Sequence, residues 1–394
     1  MKILYTADLH YFPALGGANK INRRVLEGLA ARGHVVRAVM PALGTPSRIT
    51  LDQLRAELAS LGIAVRAQGD VDVFTLDGVE VHAVTDPSSL RRHLVEQIAS
   101  FAPDCVVATS EDPTQKLLDA ALRACPDRVV YLVNTAAFLP FGPQSFFPGP
   151  RRAQLLSRAR AIGAISGYVA RYIAEFGGGL KAEVVNMPIF DRGPFPALGR
   201  FDAGYVTLVN PCAVKGLPLF LQLARALPDV KFAAVPTWGT TDADRALLAA
   251  APNVTCLPAS EDIDRIFRQT RVLVMPSLWA ESFGMTCIEA MLRGIPVLAS
   301  DIGGLPEAKL GTDYLLPVRP IDGYASRLDG NMIPIGACPE QDVGPWVAAL
   351  GRLLGDRAEY ERQSAAARVA AHGYFESPIA ERLEAFLLRA VGRA

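Results

Sequence analysis

Short, almost unbroken apolar runs recur along the chain. Between them lie longer stretches whose apolar residues return every three to four positions. In the first half the runs are MKILYTA (1–7), HVVRAVM (34–40), DCVVATS (104–110), RVVYLVN (128–134), AIGAIS (161–166) and AEVVNMP (182–188). Continuous apolarity, in place of strict alternation, predicts strands buried on both faces of a parallel sheet with helical crossovers. One stretch differs: VDVFTLDGVEVHAV (71–84) alternates around Asp77-Gly78 and predicts an antiparallel hairpin. The rhythm breaks at 191–204, which holds two prolines, three glycines and no period, and reads as a linker. It then restarts with YVTLVNP (205–211), VKFAAVP (230–236), NVTCLP (253–258), RVLVMPS (271–277) and IPVLAS (295–300), and the tail is helical by pattern. Two successive β/α alternations predict an α/β protein of two doubly wound, Rossmann-like domains, 1–195 and 196–375. A terminal helix within 376–394 is expected to pack back toward the first domain. Ligands of such sheets bind outside the carboxyl ends of the strands, so a central cleft between the domains is the expected site.

Composition narrows the picture in three ways. The 394 residues, half of them hydrophobic, suffice for two cores. Forty basic residues balance forty acidic ones, so nothing draws the chain to nucleic acid or to an anionic membrane. The cysteines at 105, 125, 212, 256, 287 and 338 form no CxxC pair. That pattern argues against zinc and against a disulfide framework, and a reducing, cytoplasmic setting is expected. The opening MKILYTADLHY reads as a first strand in place of a leader, and no apolar run reaches transmembrane length.

The densest candidate chemistry is ESFGMTCIEAMLRG (281–294). It follows a predicted strand and opens a predicted helix, stopped by Gly294 with Pro296 beyond. The amides of Gly284, Met285 and Thr286 would stand at the helix N-terminus, where unpaired N–H groups and the positive end of the dipole attract anions. Glu289, one turn in, leans back toward that end and could accept hydrogen bonds from vicinal hydroxyls. Glu281 precedes the helix. The bland alternative is a helix-capping acid and a surface acid.

The run ESFGMTCIEAMLRGIPVLASDIGGLPE (281–307) resembles the signature of glycosyltransferase family 4, retaining enzymes of GT-B architecture. The match holds at Glu281, Phe283, Gly284, Glu289, Ala290, Met291, Gly294, Pro296, Val297, Gly303, Gly304 and Glu307. FPALGGANKINRRVLEGLAARGHVVRAV (12–39) is similar to the family's P-x-x-G-G loop, helix and R-G-H-x-V turn. The resemblance implies a GT-B fold and transfer of a sugar, with retention, from a nucleotide diphosphate donor to a hydroxyl, or less often an amine, of a small acceptor. UDP is the commonest carrier in the family. The nucleotide sugar is a co-substrate; no cofactor and no metal are implied. On this resemblance Lys215 and the amides near Gly17 and Gly284 would hold the diphosphate, with Gly16, Ser282, Phe283, Met285 and Thr286 around it. Glu289 would take the ribose and Glu281 the donor sugar, making Glu281 and Lys215 catalytic. PASEDI (258–263) would meet the base, through Pro258 and Ile263 backbone groups.

Departures matter. Where the family carries an Arg in G-R-x-x-x-x-K-G, VNPCAVKG (209–216) has Asn210, so one cation on the diphosphate is missing. Lys20, Arg23 or Arg24 could replace it, or could form a solvated basic face. Relatives place a His after the fourth strand; here Asn134 stands there, and His10, after the first strand, is the alternative catalytic or sugar-binding group. His34 reads as structural. AAFLPFGPQSFFPGP (136–150) either offers Phe138 and Phe141 to an acceptor, beside Asn134, or packs on its own domain. RRAQLLSRAR (151–160) is basic, but the balanced total charge argues against a membrane role. The D-x-D triplets at 70–72, 242–244 and 262–264 read as caps and surface acids, not a metal site. Two alternatives stay open: a binding or regulatory protein of weak activity, and a sugar-nucleotide epimerase on the same fold.

Overall fold

The computed structural model describes residues 1–14, 16–44, 49–331 and 333–393. The chain divides into two compact units, Met1–Phe190 with Pro378–Ala394, and Asp191–Ser377.

The first unit is a nine-stranded sheet. Its strands are β1 (Lys2–Thr6), β2 (Val35–Pro41), β3 (Arg66–Gln68), β4 (Val71–Leu76), β5 (Val79–Val84), β6 (Cys105–Thr109), β7 (Val129–Val133), β8 (Ala161–Ala164) and β9 (Glu183–Val184). Their order is β3-β4-β5-β2-β1-β6-β7-β8-β9. Only β4 runs antiparallel to its neighbours, through the Asp77-Gly78 turn. The central strands are apolar because helices cover both faces. Ile3, Leu4, Val106, Val107, Val130 and Leu132 are buried to within about a percent of full enclosure. The helix Ile379–Ala390 belongs to this unit: Arg32 pairs with Glu381 and Glu384, His34 Nε2 lies 2.7 Å from Glu384 Oε1, and Arg160 Nε donates to the Ala390 carbonyl.

The second unit is a fully parallel six-stranded sheet of β10 (Tyr205–Val209), β11 (Phe232–Val235), β12 (Val254–Cys256), β13 (Thr270–Met275), β14 (Val297–Ser300) and β15 (Leu315–Leu316). The order is β12-β11-β10-β13-β14-β15. It switches direction between β10 and β13, the place where such sheets open a ligand crevice. Phe220, Phe232, Leu223 and Trp346 fill its core, and the indole N–H of Trp346 donates to the Pro317 carbonyl. An antiparallel hairpin of β16 (Tyr324–Leu328) and β17 (Pro334–Gly336) follows β15.

Three features differ from the sequence expectation. The 191–204 segment has no strand or helix, yet it packs on the second unit as part of it. The N–H of Leu198 donates to the Arg293 carbonyl, and the buried Phe195 ring lies edge-on to Phe375. Strands β3 and β15 carry no long apolar run, being an exposed edge and a two-residue edge. The β16–β17 hairpin is not predicted, because YASRL and PIG are short and neither alternates cleanly.

Candidate functional site

Two loops of the second unit meet at the carboxyl ends of β10 and β13. After β10 the chain makes a tight turn, Ala213–Lys215, and Val214 accepts backbone bonds from Leu278 and Trp279 of the loop after β13. This clamp brings Lys215 Nζ to 2.6 Å from Glu281 Oε1, and the Ser277 hydroxyl donates to the same oxygen at 2.7 Å. The ammonium also sits 4.5 Å from the Trp279 ring centroid. Burial alone would raise the Glu281 carboxyl. The Lys215 charge and hydrogen bonds from Lys215, Ser277 and Trp279 outweigh it and hold the pKa below the ordinary value. Glu281 is therefore an anion at neutral pH, nearly buried and already paired.

The helix Met285–Leu292 begins two residues after Phe283, and no side chain caps its N-terminus. Its N-cap, Gly284, has φ 124°, a conformation that residues with a Cβ rarely adopt, and a Cβ there would also lie 2.8 Å from Leu305. Met285 and Thr286 open the first turn, so the site has the positive end of a helix dipole beside the Lys215–Glu281 pair. Phe283 is buried against Tyr374, and Ser282 is half-buried. Glu289 is buried on the next turn, and its carbonyl accepts from Arg293. The Gly303-Gly304 pair of the sequence signature acts from below: the Gly304 N–H donates to the Glu281 carbonyl, and a Cβ on Gly304 would lie 2.5 Å from the Ser282 carbonyl oxygen. Only a bare backbone can support the 281–283 loop so closely.

Asn210 occupies the place of the missing arginine and does other work. Its side-chain oxygen accepts the Gly239 N–H at 2.9 Å, while its φ is 60°. Ile263 is buried and Pro258 exposed, so the Ile263 side chain serves the core.

In the first unit Gly16 N-caps the helix Gly17–Ala31, again without a side-chain cap. His10 lies after β1. Burial pushes its imidazole below the ordinary value, with a backbone bond at Pro13 opposing, and Asn19 donates to its carbonyl. Asn134 is buried at the end of β7. Its amide donates to Asn22 Oδ1 and to Glu111 Oε2, both at 3.0 Å, and Tyr5 donates to the same Asn22 oxygen at 2.6 Å. Glu111 also accepts from Ser110 and Thr135. Burial raises its carboxyl above the ordinary value, and the hydrogen bonds only partly offset this. Sequence reasoning passed over Glu111, Ser277 and Trp279. Each stands in the loop that follows a strand, but none is an element of the recognised signature.

Other expected ligand groups make packing contacts within their own unit. Phe138 lies edge-on to Phe146, and Phe141 stacks on Tyr172. Arg23, offered as a substitute cation, is held by Glu27 at 2.6 Å and Asp77 at 3.3 Å and is surrounded by Tyr11, Phe12 and Phe190. Arg24 faces Glu27, and Lys20 sits over the Phe190 ring. Five of the six D-x-D acids are likewise engaged. Asp70 meets Ser89 and Arg92, Asp72 meets Arg55, Asp244 completes the Thr241 capping box, Asp262 accepts the Asp264 N–H, and Asp264 pairs with Arg293. Among the described residues no cluster of three or more His, Cys, Asp or Glu is arranged to hold a metal ion, and no helix is long and apolar enough to cross a membrane.

Residues 201–330 match the family model described as Glycosyl transferases group 1. The chain is 34% identical over 138 residues to the D-inositol 3-phosphate glycosyltransferase of Nocardia farcinica, covering 34% of this chain and 26% of that protein. It is 33% identical over 161 residues to the enzyme of the same name from Mycobacterium sp. strain KMS, covering 38% and 31%. The chain thus spans less than a third of the length of these relatives. Among solved structures it is similar to sucrose-phosphate synthase from Thermosynechococcus elongatus (TM-score 0.71, 16% identity, all of both chains). It is also similar to Anabaena HepE in complex with UDP and glucose (TM-score 0.68, 17% identity, 98% of this chain and 99% of that one). The expected GT-B fold, α/β with two Rossmann-like sheets, is the architecture these structures share with it.

Proposed function

We propose that the protein is a retaining glycosyltransferase that moves a sugar from a nucleotide diphosphate donor, UDP-linked, to a hydroxyl of a small acceptor. The observation that carries this reading is the part-buried Lys215–Glu281 pair set beside the uncapped N-terminus at Gly284. A lysine ammonium has three N–H donors, and only one is needed by Glu281. The others can reach the diphosphate, which the amides of Met285 and Thr286 also receive. These groups would stabilise the charge that grows on the leaving phosphate. Glu281, kept anionic, accepts hydroxyls of the donor sugar, and Glu289 those of the ribose. The diphosphate oxygen takes the acceptor proton, so the protein's contribution is positioning and electrostatics without a metal. The family model over the second unit and the UDP named for HepE support this reading.

One observation favours a second reading. Asn210 is tied to Gly239 where a second cation is expected, as a nucleotide-sugar binding protein of weak activity would tolerate. The two readings separate on turnover. With UDP-hexose and water or a hydroxyl acceptor, UDP release is followed by chromatography and the product's anomeric configuration by proton NMR. The enzyme reading expects steady UDP release and a retained configuration, lost in Glu281→Ala while UDP still binds. Turnover unchanged in that variant would remove the role given to Glu281.

A further inference from the structure

The carboxyl ends of the second sheet lie in a fixed sequence: the 258–263 loop after β12, the 236–241 loop after β11, then the Lys215 and Glu281 loops after β10 and β13. With strands about 4.8 Å apart, roughly 10 Å separates the 258–263 loop from the Lys215 loop, and the loop bearing Trp238 fills that interval. Trp238 is 43% exposed, an indole offered to solvent beside the buried Pro236, Gly239 and Thr240. Its ring lies 6.5 Å from that of Trp279, tilted by 44°, and Trp279 carries Lys215 on its face. The loop is pinned, because the N–H of Gly239, next to Trp238, is bonded to Asn210 Oδ1. The other end of that amide, Nδ2, is buried and has no partner. A rigid, exposed aromatic face thus stands beside an unspent buried donor, one strand away from the cation.

We propose that Trp238 is the stacking platform for the base of the nucleoside diphosphate, in a loop that Asn210 holds in place through Gly239. This rests on the nucleotide-sugar reading and adds the residue that grips the nucleoside half. A diphosphate at Lys215 whose nucleoside runs across the strand order places its ring over the indole. On this account the departure from arginine at 210 is a trade: a phosphate cation is exchanged for an anchor of the aromatic loop. Stacking on an aromatic face suits any base, so the platform supplies affinity and the 258–263 loop supplies discrimination.

The test is calorimetric titration of wild type, Trp238→Ala and Trp238→Phe with UDP and, separately, with inorganic pyrophosphate. Trp238→Ala should weaken UDP about ten-fold while leaving pyrophosphate affinity unchanged, and Trp238→Phe should recover most of the loss. UDP should also quench wild-type tryptophan fluorescence, with the quench reduced in Trp238→Phe; Trp346, fully buried, should not respond. Equal UDP affinity in wild type and Trp238→Ala would overturn the platform and leave the parent reading standing. An equal loss for UDP and pyrophosphate would overturn it too, since the residue would then serve the phosphates or the fold. A wild type that binds neither UDP nor any other nucleoside diphosphate would overturn both.

Discussion

Lys215 and Glu281 are 66 residues apart in sequence, and their side chains meet at 2.6 Å where two adjacent parallel strands end. Removing the lysine leaves a buried carboxylate without its counter-charge. Lys215→Ala is therefore expected to cost about 3 kcal/mol in the second unit, read by urea unfolding, and to abolish turnover. Because the folded pKa of Glu281 lies below the ordinary 4.5, its contribution to stability is present above that value and is lost as pH falls through the folded value. The stability gap between wild type and Glu281→Gln should be widest at neutral pH and should close in acid. A gap that stays constant down to the acid limit would contradict the ion-pair account.

Glu111 titrates in the opposite sense. Its folded pKa is raised by burial, so its contribution is full below the ordinary 4.5 and is lost as pH rises through the folded value. Glu111→Gln keeps the shape of the neutral acid and removes that dependence. Urea midpoints of the first unit should fall from acid toward neutral pH in wild type and stay flatter in the variant.

Gly304 supports the 281–283 loop by having no side chain. Gly304→Ala places a methyl 2.5 Å from the Ser282 carbonyl oxygen without demanding an unusual φ. Displacement of the 281–283 loop should weaken UDP at least ten-fold and lower the melting temperature by several degrees. Unchanged UDP affinity in this variant would mean that the loop's position does not govern the site.

Arg23 is a packing residue of the first unit, caged by three aromatic rings and two carboxylates. Arg23→Ala should destabilise that unit by about 1–3 kcal/mol and leave UDP affinity within two-fold of wild type. A large loss of UDP affinity with intact stability would restore it as a substitute phosphate cation.

These residues also show where sequence reading reaches and where it stops. The central strands were legible because burial on both faces demands runs such as CVVAT and VVYLV, and the Asp77-Gly78 turn announced its hairpin. Edge strands such as Arg66–Gln68 need no apolar run and left no trace. At the site, Glu281 and Gly284 stand out because they sit at a strand-to-helix turn within a long ordered motif, and Lys215 because it lies in a shorter stretch, 209–216, that matches in part. The contact between Lys215 and Glu281, and the support of the 281–283 loop by Gly304, depend on neighbouring strands that are distant in sequence. Glu111 depends on packing as well: one acidic letter after a strand says nothing of burial. Arg23 was ambiguous for the same reason, since a basic helical face looks alike whether it meets a ligand or three aromatic rings.

The central claim is that the second unit binds a nucleoside diphosphate through Lys215 and the helix at Gly284. Thermal melts of wild type and Lys215→Ala with UDP, GDP, ADP and TDP, and then with their sugar conjugates, test it most directly. Binding at about 100 times the dissociation constant stabilises the folded state by roughly 2.7 kcal/mol, an easily read shift. The account predicts a shift with one nucleotide, larger with one of its sugars, and none in Lys215→Ala. No shift with any of them in the wild type would contradict it.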